Sequence, residues 1–293
     1  SGLNSRGVEV VAGGSVQTVG LGDVQIVGTG GKGAGAANDG VLISHSNTIV
    51  STASGNIDID GSGGGIGESA SGFVVLIHSS GDQAGGAVVQ AGGSGNLTID
   101  GRASTLAEGD SNSGVVVGGG ASASVDSGNL QITGVGGGSA ASGYNHGVSV
   151  DGAGVITSIG SGNVNVIGTG GNGSGDYNYG VFVENEDSTI TSTAGDINIS
   201  GQGGGTGASA RNHGVYVKQE GVIEAGSQGS VTIAGTGGTS TGNFNVGVFV
   251  ENANSRITST AGDINISGQG GGTGASARNQ GVKLATGGVI SST

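Results

Sequence analysis

Four histidines (His45, His78, His146 and His213) and a pair of aspartates (Asp60 and Asp100) are the residues at which metal or acid–base chemistry would first be sought. A metal cage needs three or four donors converging on one point. Only His146 and His213 occupy equivalent places in a repeating pattern, two units apart with Tyr179 between them, too far apart to share an ion. Asp60 and Asp100 fall at equivalent outward positions in neighbouring units. Two carboxylates that close repel or recruit a cation such as calcium. Neutralisation by Arg102, or plain solvation, is the simpler account. The Gly-rich stretches invite two further readings. GTGGKGAG from Gly28 lacks the Ser/Thr and the helix of a phosphate loop. GGNGSGD from Gly170 approaches a calcium nonapeptide once, without the tandem Asp spacing.

What must position these residues is a repeat. A Gly followed by alternating apolar residues recurs at Gly7, Gly40, Gly72, Gly114, Gly147, Gly180, Gly214, Gly247 and Gly281, at intervals of 32–34 residues except for 42 after Gly72. The long interval carries an insertion near His78 to Gly85. ITSTAGDINISGQGGGTGASARN occurs twice, from Ile190 and from Ile257. Each unit holds three short strand-like runs. The first is Val181-Phe182-Val183 and its equivalents. The second centres on Ile190, with Val16, Ile49, Val89, Ile156, Ile223, Ile257 and Ile290 as counterparts and Ser122 as a break. The third is Ile197-Asn198-Ile199, matched at Val24, Ile57, Leu97, Leu130, Val164, Val231 and Ile264. Period-two alternation marks half-buried strands. With 72 glycines in the chain, helices are opposed throughout.

Three strands and three corners per unit specify an all-β parallel β-helix. Residues 1–293 read as a single solenoid of about nine turns of roughly 33 residues, with a Gly-rich third corner. No turn buries its own apolar face, so neighbours must. Sandwiches and propellers fit the spacing less well. The corners from Gly168 and Gly201 recur at one edge and are expected to stack and share backbone hydrogen bonds.

Two polar rows accompany the strands. Asn stands two places before the anchor at Asn38, Asn112, Asn145, Asn178, Asn212, Asn245 and Asn279, with Ser5 and Ala70 as exceptions; stacked amides can bond to one another and to corner backbone. Asp23, Asn56, Asn96, Asn129, Asn163, Asp196, Ser230 and Asp263 precede the third run and suit tight turns. Both rows are turn chemistry.

The outward row of the first run is the most informative surface: Glu9, Leu42, Val74, Val116, Ser149, Phe182, Tyr216, Phe249 and Lys283. Three readings stand open. The Gly-rich corner folds back over Leu42, Val74, Val116, Phe182, Tyr216 and Phe249; or these residues form a lateral interface; or they stack on sugar rings. The row offers no cluster of acids or bases in its middle turns, and NHG at Asn145 and Asn212 matches a hydrolase-type GHG only in part. Nearly identical turns are poor ground for a site needing several different groups. An ice-binding Thr array through Thr191, Thr193, Thr258 and Thr260 is broken by Gln17, Val50, Gln90, Ala123 and Glu224.

Composition bounds the partners. A net charge of −13 with only 8 Lys plus Arg argues against nucleic acid and anionic membranes. There is no Cys, hence no disulfide. No apolar run has membrane-spanning length, so insertion in a membrane is not expected. The chain starts at Ser1 and stops partway through a unit, as expected of one segment of a longer array.

Units such as GVSVDGAGVITSIGSGNVNVIGTGGNGSGDYNYG, and the repeat over residues 7 to 293, resemble the repeat regions of large bacterial secreted exoproteins of the filamentous-haemagglutinin and autotransporter-passenger kind. The resemblance implies a right-handed β-helix, export to the cell surface, and an adhesive, biofilm-matrix or filament role. From the residues themselves no cofactor and no catalytic site are expected. The expected partners are other copies, end to end or side by side, and a cell-surface glycan or protein receptor. The rival classes are a carbohydrate-binding or polysaccharide-degrading β-helix and an ice- or calcium-binding module.

Overall fold

In the computed structural model, which describes residues 4–67, 72–79 and 85–292, the chain winds as a parallel β-solenoid. A typical turn contributes strands Val181–Glu184, Thr189–Ser192 and Ile197–Gln202. Each strand pairs in parallel with its equivalents one turn before and one turn after, giving sheets of nine, nine and eight strands. The described residues thus make eight complete turns and two strands of a ninth. Successive turns sit roughly 4.8 Å apart, for a rod of about 40 Å.

The register follows from inward-pointing β-branched residues, which pack well on a pleated surface. One interior column is valine in all nine turns: Val8, Val41, Val75, Val115, Val148, Val181, Val215, Val248 and Val282. Facing columns run through Val50, Val89, Ile156, Ile190 and Ile223, and through Ile57, Leu97, Leu130, Ile197 and Val231. Between the end turns these side chains are almost wholly buried, whereas Val8 and Val282 of the first and last turns are partly exposed. At about 1.5–3 kcal/mol for each fully buried Val, Ile or Leu, the columns are the main favourable term.

Each turn closes where two glycines meet. The third strand ends its inward row at Gly168, directly beneath the carbonyl of anchor Gly180; a Cβ on Gly168 would come under 3.0 Å from that oxygen. Gly28, Gly101, Gly134, Gly201, Gly235 and Gly268 repeat this approach to Gly40, Gly114, Gly147, Gly214, Gly247 and Gly281.

Three phases differ from the sequence expectation. In the third turn Val74, not Gly72, takes the anchor position, and Leu76 lies between Leu42 and Val116 in the outward row. Val74 is buried at the corner and belongs to no outward row. The run VVLI from Val74 is apolar at every position, so alternation cannot set its phase. In the second sheet the inward row contains Val50 and Ala123 rather than Ile49 and Ser122. The row of Thr191 consequently contains Ser51 and Ser124, not Val50 and Ala123. It remains interrupted by Gln17, Gln90 and Glu224. The insertion of the third turn lies between His78 and Val88; Ala70 and residues 80–84 fall outside the described residues.

Candidate functional site: an aromatic groove on the first sheet

A residue with left-handed backbone precedes each ladder asparagine: Ala37, Ser111, Tyr144, Tyr177, Arg211, Phe244 and Arg278, with φ between 56° and 69°. The conformation is costly for residues other than Gly. Here it is held by inter-turn bonds: the Tyr144 N–H donates to Asp176 O at 3.0 Å and the Arg211 N–H to Asn243 O at 2.9 Å. The kink turns these side chains over the outer face of the first sheet. The next asparagine points into the corner. There, the Asn178 N–H and Nδ2 both donate to Asn212 Oδ1, at 3.0 and 3.1 Å. The same pair of bonds links Asn112 to Asn145, Asn145 to Asn178 and Asn212 to Asn245. Asn245 donates its N–H to Asn279. Asn38 Oδ1 is buried without a partner: its donors would come from the preceding turn, where Ser5 stands in place of an asparagine and brings no side-chain amide.

Four columns therefore run along this face. The kinked residues form one wall. The residues just before the anchors, among them Phe73, Ser113, His146, Tyr179, His213 and Val246, form a second column. Leu42, Leu76, Val116, Ser149, Phe182, Tyr216 and Phe249 form the floor. Asp151, Glu184, Lys218 and Glu251 edge the far side. All eight Phe and Tyr residues of the chain lie on this face. His146 and Tyr179 stack at 4.8 Å and 7°, Tyr179 and His213 at 5.3 Å and 5°. Phe182, Tyr216 and Phe249 stack in turn below them.

Phe182, Tyr216 and Phe249 are 5–7% exposed, and Leu42 and Val116 less. What covers the aromatic ones is the ring column just before the anchors, rather than the glycines of the corner. Stacked side by side along the axis, the rings turn their edges outward and their faces to one another. Sugar stacking uses ring faces.

Burial lowers the pKa of His146 and of His213 to about 3, with Lys218 adding to the effect at His146 and Lys283, Arg211 and Lys218 at His213. Both are neutral imidazoles that accept main-chain bonds: the Tyr179 N–H donates to His146 Nδ1 at 3.4 Å and the Val246 N–H to His213 Nδ1 at 3.2 Å. Burial likewise pushes the Tyr179 and Tyr216 hydroxyls well above the ordinary phenol range. The Tyr216 hydroxyl donates to Glu251.

Cations gather at the C-terminal half of the groove. Lys218 pairs with Glu184 at 3.2 Å and lies over Phe182 and Tyr216. Lys283 sits 4.4 Å from the Phe249 ring centroid, and Arg211 donates to the Tyr177 hydroxyl at 2.9 Å. Together they line a recess of about 300 Å³. A second recess, of about 310 Å³, opens between Phe73 and Tyr144.

Away from the groove, Asp60 and Asp100 are register partners on the outer face of the third sheet. No group of three or more His, Asp or Glu that could hold a metal ion occurs among the described residues. His45 and His78 lie apart from the ring column, in the second and third turns. The groove's signal in the sequence is positional: aromatic, His and Arg residues recur three places before, one place before and two places after the anchors. Reading only the last of these misses most of it. Comparison with family models, with curated proteins and with solved structures gives no match; what is shown is the fold, a parallel β-solenoid of stacked coils.

Proposed function

We propose that this chain is a segment of an extracellular structural or adhesive rod, a bacterial surface fibre, adhesin or matrix filament of the filamentous-haemagglutinin-like kind. One observation carries the reading: like residues stand over like through eight full turns, so the interior performs no task except continuation of the rod. The surface charge fits this. A net charge of −13 keeps such rods apart in solution. Strand edges at the ends of the stack pair readily with another edge, which is the route to end-to-end growth. Lateral contacts and a glycan or protein receptor are the other partners of such a fibre.

Electron microscopy of native material tests the role. Filaments, together with labelling of the protein on intact cells, support it; dispersed particles inside the cell overturn it. A carbohydrate-binding or polysaccharide-degrading β-helix is the second reading, favoured by the recess lined by Arg211, Lys218, Lys283 and Glu251. Depolymerisation of any polysaccharide by the full chain would establish the degrading form. Calcium-dependent melting that is abolished by Asp60→Asn would establish an ion site on the third sheet.

A further inference from the structure

The ring columns of the groove stop abruptly at one turn. In the fourth turn, Ser111 stands where Tyr144 stands in the fifth, Ser113 where His146 stands, and Gly118 where Asp151 stands. Val116 forms the floor, followed by Ser149 rather than a ring. One turn further back, Phe73 restores a ring beside Ser113. The result is the recess of about 310 Å³. Phe73 and His146 are separated by two rises of the solenoid, about 9.6 Å between their backbones. That is the spacing of the outer members of a three-ring stack, with the middle ring replaced by a serine. Tyr144 is 49% exposed, and only Ser111 stands on its fourth-turn side.

The recess also has a sign. Among the described residues its charged lining is Asp151 and Glu184; Glu184 is already paired with Lys218 at 3.2 Å, whereas Asp151 has no ion pair among the described residues. His146 contributes no charge, being held neutral by burial. Asp151 accepts from Ser149 Oγ at 2.8 Å, which aims the carboxylate along the floor. Aromatic faces together with carboxylates attract a flat ring that carries positive charge, through stacking, cation–π attraction and ion pairing.

We propose that the notch at the fourth turn is a binding site for a planar aromatic cation, an aryl-ammonium or aryl-amidinium group seated over Ser113, between Phe73 and His146 and beside Tyr144. The ring completes the stack and the cationic group lies against Asp151. The site stands independently of the rod's role, since a fibre needs no ligand at one turn.

The test is titration of the full chain at low ionic strength with 2-naphthylmethylammonium, followed by calorimetry and by ring-proton shifts of Tyr144. Binding in the range of about 0.1–1 mM is expected for a probe of this size. Ser113→His, which fills the notch with the ring of the next turn and keeps an acceptor for the His146 N–H now bonded to Ser113 Oγ at 3.2 Å, should weaken binding at least tenfold while leaving the melting temperature unchanged or raised. Ser111→Tyr is the second filling variant, should the first fail to fold. Asp151→Asn should weaken the ammonium probe several-fold and leave 2-naphthylmethanol unaffected. Equal binding of the saturated decahydronaphthyl analogue, of 2-naphthylacetate or of a neutral saccharide overturns the proposal. So does binding that survives both filling variants.

Discussion

Asn245 Oδ1 accepts two bonds from Asn212, from its main-chain N–H at 3.0 Å and from its side-chain Nδ2 at 3.1 Å. The acceptor belongs to the later turn. At the corner before the third sheet the sense is reversed: the Asn163 N–H donates back to Asn129 Oδ1 and the Asp196 N–H to Asn163 Oδ1, at 3.0 and 2.9 Å. The two ladders also differ in chemistry. The buried one uses each side chain as an Nδ2–H donor and an Oδ1 acceptor at once, which a carboxylate cannot supply. From Asn129 onward the exposed one needs only an acceptor, and Asn, Asp and Ser alternate there.

Substitution should separate the ladders. Asn212→Asp places a buried carboxylate against Asn245 Oδ1 and removes the donors to Ser209 and Ser240. A loss of about 3 kcal/mol or more at neutral pH is expected, as for a buried unsatisfied charged group. Asn163→Asp, on the exposed ladder, should change stability by no more than about 0.5 kcal/mol. Denaturant unfolding of the two variants checks the contrast.

The glycine pair at each closure gives a second prediction. A methyl group on Gly168 meets the Gly180 carbonyl, and one on Gly180 meets the Gln202 amide; in both cases the obstacle is backbone. Either alanine variant should cost about 3 kcal/mol or prevent folding, as overpacking against immovable atoms does. Gly274, whose added Cβ would meet nothing within 4 Å, is the control for glycine loss, although its φ of +63° carries a smaller penalty of its own. A Gly168→Ala chain that melts like the parent would remove the closure argument.

Legibility in the sequence followed alternation. Where inward residues alternate cleanly with polar ones, as in Ile197-Asn198-Ile199, strand, phase and neighbour were all readable, because a one-residue slip would turn the core outward. Where adjacent residues are both apolar, as at Ile49-Val50 and through Val74 to Ile77, letters could not choose the phase, and the expected rows were displaced by one or two residues. The groove was half legible. Phe182, Tyr216 and Phe249 were visible as a row, but the rings that cover them are carried by residues just before the anchor, beside kinked positions such as Tyr177 and Phe244. Nothing in those residue types announces a left-handed backbone, which is ordinarily signalled by Gly or Asn.

The floor aromatics should now behave as core. Phe182→Ser or Phe249→Ser removes a ring that stacks on Tyr216 and is covered by His146 and Tyr179, or by His213. A cost of about 3–5 kcal/mol is expected, in the range of large-to-small changes in cores. Sedimentation of the still-folded variant should match the parent, because side chains this well buried offer little area to a second rod. Reduced self-association at unchanged stability would restore a lateral role for the row.

The two buried histidines predict acid sensitivity with a definite sign. Each has a pKa of about 3 in the folded chain against 6.5 when exposed. Between these values the unfolded chain binds a proton that the folded chain refuses. Stability is therefore full above about pH 6.5 and falls as the pH drops. The slope is about 1.4 kcal/mol per pH unit for each histidine. The interval from pH 6.5 to 5.5 lies above most carboxylate titration and isolates the effect. His213→Asn retains an acceptor near the Val246 N–H and should halve the slope in that interval. A slope unchanged in the variant would mean that the imidazole reaches solvent.

The Gly-rich corners give the last prediction. Free glycine loops exchange their amides quickly. Here, corner amides are tied across turns: the Gly171 N–H donates to Asn145 O at 2.7 Å, Gly205 N–H to Gly171 O at 2.8 Å, Gly238 N–H to Asn212 O at 2.8 Å and Gly272 N–H to Gly238 O at 2.7 Å. Side chains add to the stack, with Thr241 Oγ1 donating to Gly207 O at 2.8 Å and Thr206 Oγ1 to Asn172 O at 3.0 Å. The amides of Gly171, Gly205 and Gly238 should therefore exchange as slowly as those of Val181 and Val215, in the cooperative unit of the strands themselves. Gly20, in the short connection before the third sheet with nothing within 4 Å of its Cβ position, provides the open comparison. Exchange at Gly205 as fast as at Gly20 would mean that the corners are not stacked in solution, and that the asparagine ladder beneath them lacks its cover.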